Sequence, residues 1–224
     1  MKTNLALDSD APKAARQRRV IFGGKMMNLK RAITIAALIL LSGCAAMGVP
    51  ETNDPREKLK SANELFDRQM RPLPAERLIN EAVSICTQNN DRECLAQAYT
   101  TYGFFFRSRS IEKFQKVYRE NGFQDKTASY DTRYIKSKEY FEKAIPIWTE
   151  LGRFDGLTHA YLNLGFAYEF IDNKAGACEP YTKSLESYRK NIERNPSANV
   201  ALPQGFAKYE DYIAVQQKRA GCIP

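Results

Sequence analysis

Six side chains in this chain invite chemistry by type: the cysteines Cys44, Cys86, Cys94, Cys178 and Cys222, and the single histidine, His159. A metal site needs such residues at ligand spacing; no two cysteines have it and no second histidine accompanies them, so no metal is expected. Asp155 lies four residues before His159, which allows a hydrogen-bonded pair on one helical face. No nucleophile motif joins them, and Gly-x-Ser-x-Gly, paired-histidine and Gly-rich phosphate patterns are missing. The expectation is a surface histidine, no catalytic residue, no cofactor and no enzyme. Cysteine chemistry remains. In an oxidising compartment the four cysteines after Cys44 form an even set suited to two disulfides, with three pairings open.

The 224 residues carry 34 Lys/Arg against 26 Asp/Glu, a formal charge of +8. That charge is unevenly placed. Residues 1–43 hold eight Lys/Arg and two Asp/Glu, which leaves 26 against 24 from Cys44 onward. A near-balanced domain offers no electrostatic footprint for phosphate, so nucleic acid is not an expected partner.

Cys44 follows a distinctive run. Asn28-Leu-Lys-Arg31 is short and basic, Ala32 to Leu41 is apolar, and Leu41-Ser42-Gly43-Cys44 closes it. The apolar run is about half the ~20 residues of a membrane-spanning helix and fits a targeting segment instead. The closing four residues resemble a bacterial lipobox. The resemblance implies residues 26–43 as a lipoprotein signal peptide, cleavage before Cys44, and acylation there, with three chains anchoring the protein to a membrane. Ala45, not Asp, follows the cysteine, so the implied location is the outer membrane, facing the periplasm. Residues 1–25 do not belong to this plan, and translation is expected to begin at Met26 or Met27. Residues 44–54 read as the lipidated cysteine and a tether.

The elements behind the tether are helical. Pro55 suits a first helical turn, and Leu59, Ala62, Leu65 and Phe66 form an apolar stripe, ended by Arg71-Pro-Leu-Pro74. A second helix is expected from about Ala75 to Gln88, closed by Asn89-Asn90-Asp91. Leu78–Phe106 laid on Tyr140–Tyr168, a shift of 62, then gives eight identities in 29 positions, among them Ala98/Ala160, Tyr99/Tyr161, Gly103/Gly165 and Phe104/Phe166. A shift of 40 pairs Phe141 with Tyr181 and Gly165-Phe166 with Gly205-Phe206. Large residue, Leu-Gly, aromatic, then Ala, aromatic and small in a following helix resembles the tetratricopeptide repeat. The small residue lets the second helix approach closely. The resemblance implies an all-α solenoid over residues 55–224: about three helix pairs plus a closing helix from about Pro203 to Lys218. An insertion at about residues 107–136, with eight Lys/Arg, four Asp/Glu and interleaved aromatics, is expected to lengthen the two helices it separates, breaking at Asn121-Gly122.

The repeat register favours one set of disulfides, Cys86–Cys94 across a tight turn and Cys178–Cys222 stapling the closing helix. The family lines its concave groove with the first helix of each pair. Carried over, those places are Gln97, Thr100, Phe104, Arg107 and Ser108 in one unit, and His159, Leu162, Phe166, Glu169 and Phe170 in the next. Family members that clamp a terminal carboxylate use Lys and Asn at two such places; Thr100/Phe104 and Leu162/Phe166 do not supply them. An aromatic groove fit for a peptide or helix of a partner protein is expected instead. These features imply a non-catalytic adaptor or assembly factor of the cell envelope. The alternative is an immunity-type lipoprotein that inhibits a periplasmic toxin or effector.

Overall fold

Asp54 starts the first helix: its side chain accepts the Arg56 N–H at 2.8 Å, and Pro55 occupies the first turn where no N–H is needed. A computed structural model describes residues 48–222 apart from 50, 199 and 201, and among these residues the structure is all-helical. In chain order the helices are α1 (Pro55–Asn63, continuing as a π turn over Glu64–Arg68), α2 (Pro72–Gln88), α3 (Arg92–Phe106), α4 (Arg109–Lys113), α5 (Gln115–Asn121), α6 (Arg133–Glu150), α7 (Phe154–Phe170), α8 (Lys174–Arg194) and α9 (Tyr209–Ala220). The signal segment, Cys44 and the start of the tether lie outside the described residues.

Three helix junctions share one turn. Asn90, Gly152 and Asp172 each take a left-handed conformation, with φ of 52°, 62° and 58°. The next N–H reaches back to the last helical turn in each case: Asp91 to Cys86 O at 2.9 Å, Arg153 to Trp148 O at 3.0 Å and Asn173 to Tyr168 O at 2.9 Å. This capping pattern satisfies carbonyls that the helix end would leave open. It folds α2 onto α3, α6 onto α7 and α7 onto α8. The long helices pack in series, α1 on α2, α2 on α3, α3 on α6, and so on to α9.

Two contacts between helices are near copies. A Cβ on Gly103 of α3 would lie 2.6 Å from Phe141 Cζ of α6, and a Cβ on Gly165 of α7 would lie 2.6 Å from Tyr181 Cδ1 of α8. Only a bare backbone admits each ring so closely. A serine also bonds across each helix pair, at the glycine itself in the first and about two turns away in the second. Ser137 Oγ donates to Gly103 O at 2.7 Å, and Ser184 Oγ donates to Thr158 O at 2.7 Å.

Three expectations are corrected. The closing helix begins at Tyr209, not Pro203; Gly205 has φ of 97° and Gly205-Phe206 form a turn before it. The 40-residue match there marks a turn and not a helix. The insertion does not lengthen α3, which ends at Phe106; it folds as α4, α5 and a loop from Gly122 to Thr132 before α6. Its rings drive this, because Tyr118, Phe123 and Tyr130 are buried with Phe66, Tyr102, Phe105, Phe106 and Tyr140. Gly122, at φ of 70°, makes the expected break. The first helical segment stops at Arg68, where Met70 turns to φ of 55°, and Pro72 opens α2 instead of closing α1.

The cysteine sulfurs of Cys86 and Cys94, and of Cys178 and Cys222, stand at disulfide distance. The first pair bridges the α2–α3 turn. The second holds the end of α9 beside the start of α8.

Candidate functional site

The C-terminal ends of α3 and α7 lie side by side, and α9 closes over them. Arg107, the residue capping α3, meets Phe166, Glu169 and Phe170 of α7 and Arg219 of α9 around a cleft of about 600 Å³. A second cleft of about 500 Å³ is also lined by Arg107, together with Phe66, Asp67, Phe104, Ser108 and Arg109. Arg107 is thus common to both.

Rings hold that arginine in place. Its Cζ lies 5.1 Å from the Phe104 ring centre, 5.5 Å from Phe141 and 5.6 Å from Phe166. Such contacts are worth about 0.5–2 kcal/mol each as desolvation increases. Its one hydrogen bond among the described residues runs to Asn163 Oδ1, while Asn163 itself donates to His159 O at 2.7 Å. No carboxylate pairs with it among the described residues. Burial pushes the guanidinium down to about 10, with the hydroxyls of Tyr181 and Tyr212 opposing weakly. It stays charged at neutral pH.

Glu169 has the opposite fate. The Tyr181 hydroxyl donates to Oε1, and Arg219 Nη2 lies 2.9 Å from both carboxylate oxygens. Arg219 also reaches over the Phe166 ring, 5.6 Å from its centre. Phe170, half exposed, stacks on Tyr134 of α6 with ring centres 4.9 Å apart.

Of the groove residues expected from the sequence, Phe104, Arg107, Ser108, Phe166, Glu169 and Phe170 line these two clefts. The others do not. Leu162 is buried against Ala177, Tyr181, Tyr209 and Ile213, covered by α8 and α9, so it belongs to the core and not to a groove. Thr100 accepts the Trp148 indole N–H at 3.3 Å and donates to Ala96 O, a structural position between α3 and α6. Gln97 is half-buried and lines neither cleft. His159 is exposed, and Asp155 does not serve it: Arg153 holds both Asp155 oxygens, at 3.0 and 2.7 Å. Among the described residues no cluster of acidic, cysteine or histidine side chains could hold a metal ion, and no helix is long and apolar enough to cross a membrane.

Sequence reasoning missed Asn163, Tyr181, Tyr134 and Arg219. Arg219 carried a usable signal. Pairing Cys178 with Cys222 returns the last turn of α9 to the start of α8, next to Tyr181 and Glu169.

In comparisons with known protein families and with curated proteins, the chain matches none.

Proposed function

We propose that this chain is a tetratricopeptide-like lipoprotein, anchored through Cys44 to the outer membrane and facing the periplasm, that works as a non-catalytic adaptor or assembly factor by seating a segment of an envelope protein against Arg107, Phe166 and Phe170. The observation that carries the reading is the cleft at the ends of α3 and α7. It is concave, lined by aromatic rings, and centred on a cation that no internal carboxylate answers. Clefts of this size with apolar walls and few polar groups are the usual form of a binding site. The repeated Gly103–Phe141 and Gly165–Tyr181 contacts support the helix-pair array, since each unit repeats the other's close approach. Two disulfides fit an oxidising compartment.

The test is photo-crosslinking in cells from position 170, half exposed at the cleft rim, against a control at the exposed Glu193 of α8. The adaptor reading expects one or a few envelope-assembly proteins crosslinked from 170 and not from 193. A single secreted effector would favour the inhibitor instead. No specific crosslink from 170 would overturn a binding role for this cleft. Separately, Cys44→Ala should release the protein from the membrane fraction; unchanged retention would overturn the anchor.

A further inference from the structure

We propose that Arg107 is the anchor for an internal aspartate or glutamate in an otherwise apolar segment of the partner protein, and that this segment runs on through both clefts. The inference rests on the adaptor reading above and adds the chemistry that the partner must present.

Arginine has five N–H donors in a fixed planar fork, shaped for a carboxylate. Here only the Asn163 bond uses them among the described residues. Phe104, Phe141 and Phe166 hold the guanidinium from its ring-facing sides without spending a donor. The group is thus fixed, partly stripped of water, and open toward the cleft. A carboxylate placed there would restore what burial removes.

The charge around the cleft agrees. Across the two clefts Arg107, Arg109 and Arg219 stand against two acids, Asp67 and Glu169, and Glu169 is already engaged by Arg219 and the Tyr181 hydroxyl. The ligand must therefore bring its own negative charge. The walls decide what carries it. Phe166 and Phe170 in one cleft, and Phe66 and Phe104 in the other, call for apolar neighbours to the acid.

The position of Arg107 decides where the acid sits in its chain. A terminal carboxylate needs a groove that ends at the cation. Arg107 lines both clefts, so the segment we propose lays the residues before its acid into one and those after it into the other. An internal Asp or Glu uses both; a terminus uses one.

The experiment screens pools of random short peptides for binding to the full chain, one pool with amidated and one with free C-termini. Wild type should enrich peptides from the amidated pool that carry an internal Asp or Glu flanked by aromatic or aliphatic residues. An enriched peptide with that acid changed to its amide should bind about tenfold more weakly. Arg107→Gln should equalise the two, and Arg107→Lys should restore part of the difference; thermal melting of both variants checks that they fold. Enrichment of apolar peptides with no acid preference would overturn this inference while leaving the adaptor reading standing. So would a preference that survives in Arg107→Gln, or an acid preference confined to free C-termini. No enrichment in either pool would overturn it as well, and the crosslink from position 170 would then decide whether the adaptor reading falls too.

Discussion

The two glycine contacts make a natural experiment within one molecule. In the first, Phe141 of α6 lies on Gly103; in the second, Tyr181 of α8 lies on Gly165. The rings occupy matching places, and one oxygen separates them. The Tyr181 hydroxyl reaches Glu169 at the end of α7, and Arg219 completes that carboxylate's set. At the equivalent end of α3, 62 residues earlier, stands Arg107 beside a phenylalanine with no hydroxyl to offer. One unit satisfies its charge internally and the other leaves its charge toward the cleft. The two close approaches thus match, while the charged groups beside them are handled differently.

The largest expected effect comes from breaking what brings Arg219 to the second contact. A disulfide closing 44 residues is worth about 4 kcal/mol in the chain-entropy account, and one closing 8 residues about 2.5. Cys222→Ser should therefore cost more stability in denaturant unfolding than Cys94→Ser. Equal losses would contradict the loop-length account, and no loss from Cys222→Ser would mean that α9 is held by its apolar face alone.

Gly165→Val and Gly103→Val should each cost about 3 kcal/mol, because the added carbons would enter the Tyr181 or Phe141 ring. Similar costs at the two sites would sharpen the equivalence of the units. A near-zero cost at either would break it.

A buried carboxyl gives the next contrast. Glu76 of α2 is enclosed beside the aromatic core and accepts the Gln124 N–H at 2.6 Å. Burial pushes it up to about 7, against which that hydrogen bond and Lys126 work only in part. A carboxyl with a folded value above its unfolded one holds its proton more tightly in the folded state. Its contribution is full below about pH 4.5, falls as pH rises from about 4.5 to about 7, and is wholly lost above that, a change of about 3 kcal/mol. Glu76→Gln keeps an acceptor for Gln124 and should abolish that pH dependence. Thermal melting of both proteins at pH 5.5 and 8, in the same salt, checks it: the variant should gain most over wild type at pH 8.

The smallest effect is the most pointed. Tyr181→Phe makes the second contact resemble the first and should cost about 1 kcal/mol. It should leave the helix content unchanged.

Much of this frame was legible from spacing. Gly103, Gly165, Phe141 and Tyr181 announce close helix approach because only a missing side chain admits a ring. Both cysteine pairs at disulfide distance followed from the register of the helices. The insertion was less legible. The spacing suggested helix extensions with their rings packed on the array and their cations solvated; Tyr118, Phe123 and Tyr130 do pack, but they join the Phe105–Phe106 core by folding the segment back in short pieces. Gly205-Phe206 matched the repeat by residue type while Pro203 and the left-handed Gly205 made a turn. The cleft was half legible. Phe104, Arg107, Phe166, Glu169 and Phe170 follow from helical register, but Leu162 falls under α8 and α9, and Arg219 arrives from far along the chain. Register within a helix is local; what covers it is not.

The most direct measurement is the side-chain NMR of the arginines, with Arg107→Lys and Arg219→Lys assigning the two signals, as sodium butyrate replaces sodium chloride at constant ionic strength. Butyrate brings a carboxylate on a short apolar tail. The account predicts a saturable shift at Arg107 and almost none at Arg219, which Glu169 already holds. Equal responses at the two arginines, or none at Arg107, would contradict it.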